Sequence, residues 1–333
     1  MSVHKVTLNP GLQEFITTEQ QDLLQSALSA GINLPYGCAS GQCGKCIARL
    51  LRGQTRRLRH SDFVFSIAQK QSGHFLTCCH SAASDLLIEI EPISSVHQLP
   101  LQHISTRVYR LQALDEQVME VTLKTPRTRS LQFMAGQYVT IRLDNGLERN
   151  KSLANCPCDG MKPVIHVRRR ADDPFSEHVF QRLKKNDTVT LHGPSGDFTL
   201  TEGSRMPVLL IAFDTGFAAI KSLLEHIIAL DHEQPVTLFW LWSGQGNPYL
   251  DNYCRSLADA LDYFDYHHLR SGAADLDALT DTLTDILSHT PQVPELELFM
   301  TLPHDLIAQT RHWLLEQGVQ ASRLHLDRMH WID

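Results

Sequence analysis

Five of the chain's eight cysteines fall into two tight groups: Cys38, Cys43 and Cys46 spaced Cys-x4-Cys-x2-Cys, and the neighbours Cys78 and Cys79 far downstream. The first ten residues lack the basic-then-apolar layout of a secretory leader, and in such a chain clustered cysteines favour metal or redox chemistry over disulfides. The loop GCASGQCGKC carries almost no side-chain bulk. Gly37, Gly41 and Gly44 give it the freedom to wind tightly, so that thiolates converge while backbone N–H groups point at sulfur. A donor from a separate segment then closes the site. Zinc ribbons usually pair two Cys-x2-Cys knuckles, and only one short pair occurs here. An iron–sulfur cluster is therefore favoured, with zinc or unligated core cysteines as the alternatives.

A chain of 333 residues, 42% apolar and 20% charged, has material for two or three packed cores, and its texture changes along its length. The segment 93–103 is polar, contains Pro100 and shows no sustained periodicity, which suggests a linker. From about Val108 to Leu200, MEVTLKTP, QYVTIRL, VIHVRRR and DTVTLHG alternate apolar and polar residues, with one helical stretch at 174–183. That is the pattern of a small antiparallel barrel or sandwich. Beyond Gly203, apolar strands such as VLLIAF and VTLFWLW alternate with helical stretches such as AAIKSLLEHIIAL, implying a parallel sheet covered by helices.

The motifs PYGCASGQCGKC and FLTCCHSAASDLLIEIE resemble the plant-type ferredoxin family over nearly all of residues 1–95. The resemblance implies a β-grasp domain holding a [2Fe–2S] cluster on Cys38, Cys43, Cys46 and Cys78; the family's ligand follows Leu-x, which selects Cys78 over Cys79. In residues 96–203, FMAGQYVTI, RNKSLANCP, DPFS and HGPSGDF resemble the flavin-binding barrel of the ferredoxin–NADP reductase superfamily. By that likeness Arg149 meets the FAD diphosphate with a fixed cationic fork, Ser152 contacts the flavin, and Ser176 lies where helix N–H groups can meet pyrophosphate. Where the family stacks a tyrosine on the flavin, this chain has Lys151, placed to pair with a phosphate or with the reduced flavin's charge. Cys156-Pro-Cys158, in the loop after the flavin motif, is read as incidental rather than as a metal site.

Residues 204–333 resemble the superfamily's nicotinamide-nucleotide domain, with altered motifs. Its Gly-Gly-Thr-Gly is replaced by Phe213-Asp214-Thr215-Gly216, where a carboxylate would oppose a pyrophosphate, and its Cys-Gly-Pro by Thr301-Leu302-Pro303. Thr215, Gly216, Thr301 and Pro303 are the residues left to hold the nucleotide. No basic residue follows VTLFWLW near Ser243, so NADH is expected rather than NADPH. The tail from Met329 to Asp333 ends in an aromatic segment whose Trp331 could cover the flavin.

The domain order resembles three-domain reductase components of oxygenases and of the deoxysugar pathway. It implies electron flow from NADH through FAD to the [2Fe–2S] cluster and on to a redox protein, an oxygenase component or a deoxysugar-pathway enzyme. The alternative is a relay whose third domain no longer binds nucleotide. A formal charge of −7 argues against a general nucleic-acid binder, and eighteen scattered histidines show no metal-ligand spacing. Residues 39–59 carry six Lys/Arg and no acid, a candidate docking face. No apolar run approaches the roughly 18 residues needed to span a bilayer, so a cytoplasmic chain is expected.

Overall fold

The computed structural model describes all residues except 1, 94, 202–203, 231–232, 271–275, 290–294 and 330–333. Trp331 and the tail around it therefore lie outside the described residues. Three large sheets follow one another along the chain, the first accompanied by a two-stranded ribbon, and each packs its own core.

The first is mixed. β1 (Val3–Asn9), β2 (Glu14–Thr18), β3 (Ile47–Arg52), β5 (His74–Leu76) and β7 (Leu86–Glu89) lie in the order β2-β1-β7-β3-β5, and β4 (Thr55–Arg57) pairs with β6 (His80–Ala82). β1 and β7 run parallel, and the remaining pairs are antiparallel. α1 (Leu23–Ser29) starts where the Asp22 carboxylate accepts the Gln25 N–H at 2.9 Å, and buries Leu23, Leu24, Ala27 and Leu28. α2 (Ile67–Gln71) opens with a Ser66/Gln69 capping box. A helix laid across such a sheet is the β-grasp arrangement.

The second sheet is antiparallel: β8 (Gln102–Ala113), β9 (Val118–Lys124), β10 (Tyr138–Arg142), β11 (Glu148–Ser152), β12 (Val164–Arg168) and β13 (Thr188–Ser195) lie in the order β11-β10-β13-β8-β9-β12. A bridge between Leu153 and Ile165 joins the two ends, so the sheet curls into a nearly closed barrel. Inward residues such as Val108, Val121, Leu123, Ile141 and Val167 form its core. α3 (Pro174–Gln181) follows β12, with proline in its first turn. The segment expected to be a linker is shorter than 93–103, because β8 already begins at Gln102.

The third sheet is wholly parallel. β14 (Val208–Phe213), β15 (Val236–Trp242), β16 (Phe264–Arg270), β17 (Glu297–Pro303) and β18 (Leu324–Met329) lie in the order β16-β15-β14-β17-β18. α4 (Phe217–Ala229) and α5 (Asp251–Ala260) contribute to the core on one face, and α6 (Leu276–His289) and α7 (Ile307–Glu316) to that on the other. Every residue of β14 is buried, as a strand covered on both faces requires. Strand order reverses between β14 and β17, which makes the carboxyl ends of these strands the switch point where such sheets bind ligands. The molecule is thus a multidomain α+β and α/β protein, and among the described residues no helix is long and apolar enough to cross a membrane.

Candidate metal centre and cofactor cavity

The cysteine loop joins α1 to β3. Gly41 and Gly44 take φ of +83° and +74°, and a Cβ on Gly44 would come within 2.2 Å of the Phe63 ring, so glycine is required there. The winding turns amides toward sulfur. Cys38 Sγ accepts from the N–H groups of Ser40, Gln42 and Cys43 at 3.3–3.4 Å, and Cys43 Sγ accepts from the Cys38 N–H at 3.4 Å. Burial works against the Cys38 thiolate, but the Ser40 side chain and these N–H donors together outweigh it and hold its pKa down to about 6.

Cys78 lies in the turn Thr77–Cys79 after β5, which brings its sulfur 3.2 Å from that of Cys46. Cys79 Sγ is 3.7 Å from Cys78 Sγ and turns toward the back of Gly41. The four thiols thus stand as two contacting pairs, Cys38 with Cys43 and Cys46 with Cys78. Among the described residues no three His, Cys, Asp or Glu side chains converge as they would on a single ion. Two pairs of thiols, one of them with N–H groups already aimed at sulfur, suit a binuclear cluster better than zinc.

The loop is tied to the barrel, since both the N–H and the hydroxyl of Ser130 donate to Gly37 O, at 3.0 and 2.8 Å. Half of its basic face is spent internally: Arg49 pairs with Glu89, Arg56 with Glu19 and Arg59 with Asp22.

A cavity of about 810 Å³ lies between the barrel and the carboxyl edge of the parallel sheet. Arg149, Lys151 and Ser152 from β11 line it, together with His166, Arg168, Arg170, Asp173, Thr215, Gly216, Asp327 and Arg328. Arg149 Nε is buried with no hydrogen-bond partner among the described residues. Lys151 sits 5.8 Å over the Phe175 ring, and its pKa is pushed down to about 8 by burial, partly offset by Asp173, with Arg149 and Arg170 pushing the same way as burial. Partly desolvated cations with an unfilled N–H fit an anionic group such as a flavin diphosphate. Asp327 is one of four acids in the lining, with Glu148, Asp173 and Asp197, and its pKa is raised to about 7 mainly by burial.

Ser176 does not line this cavity. It is fully buried inside α3, its hydroxyl donates to the Arg170 and Asp173 carbonyls, and its N–H donates to the Asp173 carboxylate at 3.1 Å. Asp173 also accepts from the Phe175 N–H at 3.2 Å and from Arg149 at 2.8 Å. The helix terminus expected to meet pyrophosphate therefore already holds a carboxylate, and Arg149 is the group shared between that carboxylate and the cavity.

At the switch point Thr215 and Gly216 face the cavity, whereas Thr301 and Pro303 are buried behind them. Thr301 Oγ1 accepts the Phe213 N–H at 3.1 Å, and a Cβ on Gly216 would fall 2.3 Å from that oxygen. Asp214, at φ +45°, is not a bare repelling charge: Arg168 of the barrel meets it at 2.7 Å, and Ser243 donates its N–H at 2.9 Å and its hydroxyl at 2.7 Å. The cation that the sequence lacks near Ser243 thus comes from another sheet, with its charge already matched. Phe217, Trp240, Trp242 and Tyr249 pack edge and face around this point. The residues fit a dinucleotide at Thr215–Gly216 alone. Arg168, Arg170 and Asp173 carry no role assigned from the sequence; for the two arginines the signal is VIHVRRR, whose alternation places them on one face, and Asp173 opens the motif DPFS.

A cluster-binding β-grasp domain, a barrel with a cationic cavity and a doubly wound sheet sharing that cavity together define a modular electron-transfer reductase. Residues 6–83 match the family model described as a 2Fe-2S iron-sulfur cluster binding domain. The chain is 31% identical over 245 residues to terephthalate 1,2-dioxygenase reductase component 1 of Comamonas sp., covering 74% of this chain and 71% of that one. It is 28% identical over 246 residues to the CDP-6-deoxy-L-threo-D-glycero-4-hexulose-3-dehydrase reductase of Yersinia pestis, covering 74% of each. The solved ferredoxin reductase in carbazole 1,9a-dioxygenase superposes over 99% of both chains with a TM-score of 0.59 at 23% identity, a likeness of fold. The chain belongs to the ferredoxin–NAD(P)H reductase superfamily, in its three-domain oxygenase-reductase form. It is an oxidoreductase, and its partner is a redox protein.

Proposed function

We propose that the chain passes electrons from NADH through FAD to a [2Fe–2S] cluster on Cys38, Cys43, Cys46 and Cys78, and on to an oxygenase component or a deoxysugar-pathway enzyme in the cytoplasm. The working units in this reading are residues 1–95, 96–203 and 204–333. The observation that carries it is the cationic cavity at the switch point, on the same barrel that bonds the cysteine loop through Ser130. A bound flavin supplies the conversion between a two-electron donor and a one-electron acceptor. The chain's own residues bind and orient. Arg149 and Lys151 supply positive charge for the diphosphate, Ser152 a hydroxyl at the flavin, Thr215 and Gly216 a helix N-terminus for nucleotide phosphate, and Thr301 the packing that holds Gly216 in place. The amides around Cys38 favour the thiolate form that iron requires.

The aromatic packing of Phe217, Trp240, Trp242 and Tyr249 beside the switch point favours a second reading, in which the third domain serves for docking and electrons arrive from another protein. Anaerobic mixing of the reconstituted protein with excess NADH or NADPH, followed by flavin and cluster absorption, separates the two. Bleaching by NADH that outpaces NADPH supports the reductase. Bleaching by dithionite but by neither nucleotide leaves the relay.

A further inference from the structure

Cys156 and Cys158 have no place among the cluster ligands, yet the fold sets them where three domains meet. The turn Pro157–Asp159 begins at Cys156, whose sulfur accepts the Cys158 N–H at 3.4 Å, and the two thiols touch across Pro157. On one side α4 grips the approach: Cys156 N–H donates to Glu225 at 2.8 Å, Lys221 to Ala154 O at 2.9 Å and Ser222 to Asn155 O at 2.7 Å. On the other, Cys158 packs on the core of the cluster domain, and with Cys38 and Tyr36 it lines a cavity of about 360 Å³. Ser152, four residues before Cys156, lines the cofactor cavity. The segment therefore spans from one redox site toward the other.

We propose that Cys156 and Cys158 form a redox-active dithiol that hydrogen peroxide converts to an intramolecular disulfide. Cys158, half-buried and facing the smaller cavity, is the more accessible sulfur; Cys156 is 5% exposed. The Cys158 thiolate attacks a peroxide oxygen, an S–O bond forms as O–O breaks, and the departing hydroxide takes a proton to become water. Cys156 sulfur then displaces the hydroxyl from the sulfenic sulfur, releasing the second water. Two thiols lose two electrons and two protons, and one peroxide gains them. Closing the bond draws Cys158 toward Cys156 and away from the cluster-domain core, because α4 holds the Cys156 backbone. Oxidation then slows passage from the flavin side to the cluster. That consequence rests on the proposed electron path, whereas the disulfide does not.

The test uses the full chain with cluster and FAD reconstituted, exposed anaerobically to stoichiometric hydrogen peroxide, alkylated and digested with trypsin. Residues 152–168 carry Cys156 and Cys158 and no other cysteine, and the bond between Lys162 and Pro163 resists cleavage. The expected result is a peptide that has lost two hydrogens and both alkylation sites while cluster absorption is unchanged, with electron transfer slowed and restored by dithiothreitol. Cys156→Ser should stop at a Cys158 sulfenic acid trapped by dimedone, and Cys158→Ser should make transfer indifferent to peroxide. Full alkylation of both cysteines at peroxide levels that bleach the cluster overturns the site. A disulfide that leaves transfer unchanged overturns its control of the path. If the protein takes up no FAD, the electron path fails, and the peptide mass still decides the dithiol.

Discussion

The cysteine loop and the first turn after β14 are both tight backbone segments placed to receive an anionic cofactor, and they carry their information differently. In residues 37–46 the requirements are local. Donors, glycines and the amides that point at sulfur all lie within one loop, and only Cys78 comes from elsewhere. In residues 213–216 the decisive partners are remote: Arg168 comes from the barrel and Ser243 from the end of β15. A carboxylate that looks repulsive when read along the chain is matched by an arginine in its folded setting. Local motifs can be read from residue types, whereas an interdomain ion pair exists only once two domains have docked.

The largest effect should come from the local site. Cys78→Ser removes one thiolate of the pair formed with Cys46, and it should abolish or grossly alter the [2Fe–2S] absorption and the reduced-state EPR signal. Cys79→Ser should leave both largely intact, since its sulfur faces the back of Gly41. The reverse outcome would mean the neighbour had been misassigned.

The remote site should show itself in stability. Asp214→Gly restores the residue type usual in the superfamily but strands Arg168, which is only 17% exposed, and breaking such a pair costs about 3–5 kcal/mol. Urea denaturation should read this loss, and adding Arg168→Leu should recover part of it, because the orphaned charge goes with it. An Asp214→Gly chain as stable as the parent would show that the clasp contributes nothing. It would also return Asp214 to the simple role of repelling the dinucleotide.

Strong alternation and long periodicity made most of the fold legible, from β9, β10, β12 and β13 through α4, β15 and α7. What was missed shares a cause. β16 reads FDYHHLR, an edge strand whose polar residues face water, and α6 is rich in threonine and aspartate, so neither stands out as apolar. At the sites, Arg149, Lys151 and Ser152 line one cavity. Ser176 instead supports Asp173, which no spacing rule could foresee, because a carboxylate at a helix terminus reads equally as a cap or as a phosphate's rival.

Lys151 gives a subtler contrast. Folding disfavours its charged form, lowering the pKa from 10.5 to about 8, so its contribution to stability is least below pH 8 and improves as pH rises from about 8 toward 10.5. Anion binding runs the other way, since only the protonated amine attracts phosphate. FAD affinity, measured by fluorescence quenching, should weaken from pH 7 to 9, whereas Lys151→Met should be about tenfold weaker at pH 7 and flat across that range. Parallel pH profiles for the two proteins would remove Lys151 from the flavin site.

The smallest effect should lie on the basic face of residues 39–59. Six cations without an acid suggest strong steering of an acidic partner, with on-rates raised roughly 10- to 1000-fold in the best cases. The fold spends three of them on Glu89, Glu19 and Asp22, leaving Lys45, Arg52 and Arg57 without a carboxylate partner among the described residues. Surface pairs of this kind add little stability, but they cancel much of the field a partner would feel at a distance. Electron transfer to the cognate acceptor should therefore slow only gently with salt, and through the on-rate rather than the limiting rate. Glu89→Gln should steepen that slope by freeing Arg49. A steep slope in the parent chain, unchanged by Glu89→Gln, would mean that Lys45, Arg52 and Arg57 steer by themselves and that the internal pairs are irrelevant to docking.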